Sequence, residues 1–262
     1  MAAPQTTTPS ATITINDHFP NPNNNVYDVT FTTFNFSTTI TTTVTADPAT
    51  VTNWLTTLTT TTPQPRIIGL DVEWRPNRHV SHDNAVATLQ LCTNNSCLIF
   101  HIIHCQGPIP RKLIEFLGDR MNTFVGTGIE ADVERLLGDY GLTVAKTEDL
   151  GKLARRRGVT GLNPASSTIG LKELTRVLLG VEVQKPKSIT MSRWDQEWLS
   201  YGQVQYACID AYLSYESGCN HDCILSSANR AESCPLFMTD PYNESFQLAS
   251  CVDTQHAAER AP

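Results

Sequence analysis

Residues 66–74 read Arg-Ile-Ile-Gly-Leu-Asp-Val-Glu-Trp, an apolar run that carries two carboxylates near its end. A short run of this kind, rich in β-branched residues, is typical of a buried strand. Side chains two positions apart on a strand point to the same face, so we expect Asp71 and Glu73 to lie side by side. Burying two negative charges together costs free energy unless a cation compensates them. The pair is therefore a candidate metal site.

Strand and helix patterns on both sides of this segment predict the rest of the fold. β-branched or alternating runs predict strands over residues 26–31, 36–45, 85–92, 96–102 and 123–125. The first two are expected to form a hairpin. The segment 66–74 is expected to form a three-strand meander with the strands 85–92 and 96–102. Helical spacing and capping signals predict a short helix after Asp47-Pro48 and helices over 109–117, 129–140, 148–157, 169–179 and 201–217. Within helix 129–140, Val133, Leu136 and Leu137 would face inward. This order predicts an α/β fold, a mixed β-sheet flanked by helices.

The two ends of the chain differ in composition from its middle. Residues 1–25 are rich in Thr, Pro and Asn and are predicted to form a disordered head. Residues 219–262 lose the apolar pattern and are predicted to form a poorly ordered tail. A single domain over residues 26–218 remains between them.

Composition excludes several classes of protein. No stretch approaches the roughly 20 consecutive apolar residues of a transmembrane helix, and the first residues lack the features of a signal peptide. We therefore expect a soluble, intracellular protein whose eight cysteines are reduced thiols. The net charge of −7 argues against coating nucleic acid by charge alone. Enzymes that act on nucleic acid remain possible, because bound cations neutralise a carboxylate cluster.

Two later segments carry further candidate ligands. Asp132 falls in the first turn of the helix predicted from Ile129, while Tyr206 and Asp210 stand four residues apart on one face of the helix 201–217. Taken alone, Asp132 is also explained as a charge favoured at a helix N-terminus, and Tyr206 as a half-buried aromatic residue. The joint order of the residues favours a shared metal site. Oxygen ligands without histidine suit Mg²⁺ or Mn²⁺ rather than zinc.

Four segments of the sequence carry a family resemblance. They read Gly-Leu-Asp-Val-Glu-Trp-Arg-Pro at 69–76, Val-Ala-Thr-Leu-Gln-Leu-Cys at 86–92, Phe-Val-Gly-Thr-Gly-Ile-Glu-Ala-Asp at 124–132 and Tyr-Ala-Cys-Ile-Asp-Ala-Tyr at 206–212. Together they resemble the Werner-syndrome-type 3′→5′ exonuclease domain, which is the tyrosine branch of the DEDD exonuclease superfamily. The resemblance extends from about Val26 to Gly218.

This resemblance implies a ribonuclease-H-like fold and a two-metal exonuclease that uses two Mg²⁺ or Mn²⁺ ions. It implies that Asp71, Glu73 and Asp210 hold one ion. Asp71 and Asp132 would hold the second, and Tyr206 would orient the attacking water. The expected reaction removes nucleoside 5′-monophosphates from nucleic-acid 3′ ends, with DNA favoured. The expected localisation is the nucleus, the cytoplasm or both.

Substrate-binding residues are less clearly marked. Trp74 and Leu89 are candidates for contact with the terminal base or sugar, although Leu89 also fits a core position, and Arg193 is a candidate phosphate contact. Some relatives carry an aromatic residue two positions after the aspartate of the second motif, whereas this chain has Glu134. The remaining basic candidates, which also fit a solvated helix face, are Lys152, Arg155, Arg156, Arg157, Lys172, Arg176, Lys185 and Lys187.

Two alternative functions and a few further features remain. The same metal site is compatible with ribonuclease-D-like trimming of RNA 3′ ends, or the fold could be a catalytically silent interaction module for a helicase or silencing complex. The chain has no phosphate-binding loop of the helicase type, so any unwinding partner would be a helicase acting in trans. The spacing of Cys219, His221, Cys223 and Cys234 fits no standard zinc pattern.

Overall fold

A computed structural model describes residues 11–17, 26–33, 36–77 and 83–219, together with the backbone of residues 220–223. The strands are β1 (Thr12–Asp17), β2 (Val26–Thr32), β3 (Ser37–Thr45), β4 (Arg66–Trp74), β5 (Val86–Thr93), β6 (Ser96–Phe100), β7 (Asn122–Gly126) and β8 (Thr147–Asp149). The helices are α1 (Pro48–Thr61), α2 (Arg111–Gly118), α3 (Ile129–Tyr140), α4 (Leu150–Arg156), α5 (Leu171–Leu178), α6 (Lys187–Thr190) and α7 (Tyr201–Cys223).

The described strands form one mixed sheet in the order β1-β2-β3-β6-β5-β4-β7-β8. β2 and β3 pair as an antiparallel hairpin, and β4, β5 and β6 form an antiparallel meander, as the sequence predicts. β3 runs parallel to β6, while β7 runs parallel to β4 and β8 parallel to β7. The predicted fold class, a mixed sheet flanked by helices, is confirmed.

The two faces of the sheet carry different helices. Alternate residues of β4 point to opposite faces: Ile68, Leu70 and Val72 pack into a core with α1, α2 and α3. The other face packs against α7, which comes very close at Gly69, where a Cβ atom would lie 1.9 Å from the backbone oxygen of Ala211. Asp71 and Glu73 follow Gly69 at two-residue steps and therefore share the α7 face.

The amino-terminal prediction is wrong in one part. Thr12–Asp17 forms strand β1, which pairs antiparallel with β2, although the head was expected to be disordered. The expectation depended on composition, but threonine and isoleucine are β-branched, and Ile13 and Ile15 pack against the core beneath α7. Residues 1–10 and 18–25 of the predicted head lie outside the described residues.

Smaller differences concern the helices. α7 continues six residues beyond the predicted end at 217, into the predicted tail, whose residues 224–262 lie outside the described part of the chain. Residues 147–149 form strand β8, so helix α4 begins two residues later than predicted. Leu137 was expected to face inward but is 52% exposed, whereas Leu136 is fully buried. Among the described helices, none has the length and apolar character needed to cross a membrane.

Candidate active site

Three carboxylates meet between β4 and α7. One oxygen atom from each of Asp71, Glu73 and Asp210 lies within 4.8 Å of the other two. Strand geometry places the first two on one face, and the close contact at Gly69 brings α7, with Asp210, over that face. The structure therefore brings together three of the four predicted metal ligands as one cluster.

The start of α7 is fixed by a capping box formed by Ser200 and Gln203. The backbone N–H of Gln203 donates to Ser200 Oγ at 3.3 Å, and the backbone N–H of Ser200 donates to Gln203 Oε1 at 2.9 Å. Reciprocal capping satisfies backbone donors that a helix otherwise leaves unpaired. Tyr206 and Asp210 follow on this helix four residues apart, so both project from its same side.

Asp132 approaches from the other side of the sheet, in the first turn of α3. Gly128, at the N-cap of α3, has a left-handed backbone with φ of 73°, which glycine adopts without strain. The N–H of Gly128 donates to Asp149 Oδ2 at 2.6 Å, and Asp149 also caps α4. Asp132 is not among the three mutually close carboxylates, but its charge acts on Asp71 and Glu73. It is thus positioned beside the cluster.

Burial and mutual repulsion make this cluster unfavourable in the charged state. Burial raises the pKa of Asp71 well above its usual range, and the charges of Asp210 and Asp132 raise it further. Burial, together with the Asp71 charge, raises the pKa of Glu73 to about 10. Burial also raises the pKa of Asp132 to about 7. Without a bound metal ion, Asp71 and Glu73 therefore tend to retain protons near neutral pH.

Tyr206 shares this environment. Its ring lies 6.1 Å from the ring of the fully buried Trp194, measured between centroids. Burial and the charge of Asp210 raise the pKa of the Tyr206 phenol far above its ordinary value. The hydroxyl therefore stays protonated, which suits a group that orients water by hydrogen bonding and not one that removes a proton.

A lysine completes the described surroundings of the cluster. Lys185 Nζ donates to Asp210 Oδ2 at 2.6 Å and lies 5.5 Å from the centroid of the Tyr206 ring. The sequence indicated Lys185 only as one of several basic residues. Its position at Asp210 was missed because 25 residues separate the two along the chain. No local spacing pattern encodes that contact.

The predicted substrate contacts have different outcomes. Leu89 is fully buried in the core on the α1 side of the sheet, opposite the carboxylates, which favours the core position that the sequence also allowed; its contact with substrate stays a prediction. Trp74 is half-buried and packs against that same core, with the guanidinium carbon of Arg135 4.2 Å from its ring centroid. Arg193 is 62% exposed and pairs with Asp195. Trp74 and Arg193 as substrate contacts stay predictions.

Several other basic candidates are already paired with acidic side chains. The pairs are Lys152 with Glu130, Arg156 with Glu148, and Lys172 with Glu182. The guanidinium groups of Arg155 and Arg176 donate to the backbone oxygens of Ser166 and Gly161. These contacts favour the interpretation of those residues as surface side chains that stabilise local structure.

The donor set fits a divalent metal. Carboxylate oxygens are the ligands that Mg²⁺ and Mn²⁺ prefer, and the cluster offers several within one ion's reach. The raised pKa values of Asp71 and Glu73 reflect burial first and then repulsion between the carboxylates, and a bound cation would relieve that repulsion. Asp71, Glu73 and Asp210 are the residues that could hold the ion, with Asp132 beside them.

Comparison with known proteins agrees with this geometry. Residues 43–216 match a family model described as 3′-5′ exonuclease, and this range includes all four carboxylates and Tyr206. The chain belongs to the 3′-5′ exonuclease family. The resemblance to exonucleases that the sequence motifs indicate is thereby confirmed.

The chain matches only part of the length of its individual relatives. A 3′-5′ exonuclease of Arabidopsis thaliana is 38% identical over 150 residues, covering 56% of this chain and 50% of the relative. The bifunctional 3′-5′ exonuclease/ATP-dependent helicase WRN of Mus musculus is 31% identical over 147 residues, covering 56% of this chain and 10% of the relative. The match thus spans half or less of these relatives.

A solved structure shares the fold. The Aedes aegypti Nibbler EXO domain superposes with a TM-score of 0.56 at 19% identity, covering 70% of this chain and 88% of that domain. This likeness supports the architecture of an exonuclease domain for the described sheet and helices.

Proposed function

We propose that the chain is a metal-dependent exonuclease that removes nucleoside 5′-monophosphates from the 3′ ends of DNA. The observation that carries the proposal is the cluster of three carboxylates with mutually close oxygens, on the sheet face that Tyr206 and α7 cover. Such a cluster has no structural benefit without a cation, because burial and repulsion oppose its charge. Family membership supports the reaction class.

Different residues of the site would bind the metal ions and orient the attacking water. Asp71, Glu73 and Asp210 would hold one divalent ion. By the family resemblance, Asp71 with Asp132 would hold a second. Two such ions, when bound, activate water and stabilise the attacking and leaving oxygens of a phosphoryl displacement. Tyr206, which keeps its proton, would orient the attacking water through its hydroxyl. The protein positions the reactants and contributes little acid–base chemistry of its own.

A labelled-substrate assay tests this function. A 5′-labelled duplex with a recessed 3′ end is digested with Mg²⁺, with Mn²⁺ or with chelator, using wild type, Asp71→Asn and Glu115→Gln. We expect a metal-dependent ladder that shortens from the 3′ end, and a loss of more than about 100-fold in Asp71→Asn, since even indirect metal contacts cost 10–100-fold. Glu115 is an exposed residue of α2 that pairs with Arg111, so its variant should match wild type.

A matched RNA substrate separates the remaining interpretations. The preference for DNA is proposed from the resemblance to the Werner-type domain. The cluster itself would act only on metal ions and phosphate groups, which DNA and RNA substrates share. Faster digestion of RNA would favour the ribonuclease-D-like alternative. Folded wild-type protein that digests neither polymer would contradict the proposal and favour an interaction module.

A further inference from the structure

Lys185 occupies an unusual position for a residue of a metal-binding site. Its ammonium lies 2.6 Å from Asp210 Oδ2, and the side chains of Lys185 and Asp210 are 29% and 6% exposed. The lysine thus reaches from a partly solvated position into a buried carboxylate. Its charge also acts on Asp71 and Glu73. In the metal-free protein, the ammonium serves as the cation of the cluster.

A divalent ion and this ammonium would compete for the same carboxylate. Asp210 is one of the three residues whose oxygens meet within 4.8 Å, so an ion held by all three would lie next to the ammonium. Two positive charges a few ångströms apart repel each other strongly in a partly buried site. Metal binding therefore favours release of Lys185 from Asp210.

The backbone on both sides of Lys185 is fixed by local contacts. The buried Val183 anchors the chain just before Lys185, and Pro186 is the N-cap of α6, where its carbonyl accepts from the N–H of Ile189 at 2.9 Å. A released ammonium therefore stays within one side-chain length of this backbone, on the side of the cluster where it now lies 5.5 Å from the Tyr206 ring centroid. A phosphate brought to the metals of this site would be the nearest new anion.

We propose that Lys185 exchanges partners during the reaction: it holds Asp210 in the metal-free protein, and contacts a phosphate oxygen of the substrate once metal occupies the cluster. This inference rests on the proposed exonuclease function and adds a substrate-binding residue to it. It also implies that Lys185 opposes metal binding until the substrate arrives.

A metal titration tests the first half of the exchange. Mn²⁺ binding without nucleic acid is measured by calorimetry for wild type, Lys185→Met, Lys185→Arg and Lys146→Met. Lys146 is an exposed lysine that precedes β8, so its variant controls for the lost charge. We expect Lys185→Met to bind Mn²⁺ several-fold more tightly, and the other two variants to match wild type. Equal or weaker binding by a folded Lys185→Met would show a structural role and overturn the proposal.

Steady-state kinetics with a single-stranded oligonucleotide tests the second half. Losing one charged contact to phosphate should raise the KM of Lys185→Met about tenfold. The same loss should reduce the salt dependence of log KM by about 0.7. Lys185→Arg should recover most of both effects. An unchanged KM in an active Lys185→Met enzyme would overturn the proposal, whereas inactivity of wild type on all substrates would overturn the proposed function and leave the calorimetric result standing.

Discussion

The burial of Glu73 lowers the free energy of unfolding of the metal-free protein at neutral and higher pH. Burial and the neighbouring Asp71 charge raise its pKa from 4.5 to about 10, so the metal-free folded protein keeps a proton that the unfolded chain loses above about pH 4.5. Between these two pKa values the folded state binds more protons than the unfolded state. The free energy of unfolding therefore decreases as the pH rises through this interval.

Replacing Glu73 with glutamine should stabilise the metal-free protein while it removes activity. Glutamine is neutral in both states, so Glu73→Gln lacks the loss of stability that wild type suffers with rising pH. Thermal unfolding in chelator should give similar Tm values for the two proteins near pH 5, and a higher Tm for Glu73→Gln near pH 8.5. A lower Tm for the variant at the higher pH, with Glu115→Gln unchanged, would contradict the assigned pKa direction.

At the scale of residues, the sequence indicates which side chains could bind a metal more readily than it indicates which side chains contact one another in the fold. The residue types and short spacings of Asp71, Glu73 and Asp210 are local properties of a strand and a helix, so they could be recognised directly. The positions of Lys185 at Asp210 and of Arg135 over Trp74 depend on segments that meet only in the folded chain. The two roles considered for Leu89 could not be separated for a related reason, because the strand pattern fixes which residues share a face but not which face carries the site.

At the scale of elements, the contact between β4 and α7 determines whether the cluster exists. Gly69 has no side chain, so α7 can approach its Cα closely. The backbone oxygen of Ala211 lies 1.9 Å from the position that a Cβ atom of residue 69 would take. Real Cβ atoms do not tolerate such a distance, so any larger residue must push the helix away. Asp210 precedes Ala211 on this helix and would move with it.

Gly69→Ala should therefore impair both stability and metal binding. Overpacking of this kind costs about 3 kcal/mol. The displaced helix should also weaken Mn²⁺ binding, because Asp210 no longer meets Asp71. The matched control is Gly138→Ala in α3, where a Cβ would meet no atom within 4 Å and where alanine should stabilise the helix by about 0.5–1 kcal/mol. Urea unfolding and calorimetry measure the two effects, and equal stability of both variants would contradict the packing argument.

Elements with strong local signals were predicted well, and those that depend on partners were not. Helix α3 has the predicted bounds of 129–140, because an apolar stripe and flanking glycines mark its ends. Strand β1 was missed because its alternation of threonine and isoleucine covers only residues 12–15 and was outweighed by the Thr-, Pro- and Asn-rich composition around it. Pairing with β2 and the core contacts of Ile13 and Ile15 stabilise it instead.

At the scale of the whole described domain, helices from both faces of the sheet supply the site. α7 brings Tyr206 and Asp210 over one face, whereas α3 packs against the other face and brings Asp132 to the same end of β4. The order of the strands in the sheet could not be read from the sequence. In the sheet β3 lies beside β6, so β4, which follows the β2–β3 hairpin along the chain, is separated from that hairpin by β6 and β5. A cation bound here would therefore link elements that are distant along the chain.

Metal binding should accordingly stabilise the entire domain. An ion that binds only the folded state raises the free energy of unfolding by about 2.7 kcal/mol at 100 times its dissociation constant. We expect Mn²⁺ to raise the Tm of wild type relative to the Tm in chelator. The increase should be larger at pH 8 than at pH 6, because burial raises the pKa of Asp132 to about 7 and this residue must lose its proton to act as a ligand.

The Asp71→Asn variant should lose most of this increase in Tm, since Asp71 is proposed to bind both ions, whereas Glu115→Gln should retain it. A shift that is equal in wild type and Asp71→Asn would mean that Mn²⁺ binds elsewhere on the folded protein, and the assignment of this cluster as the metal site would be wrong.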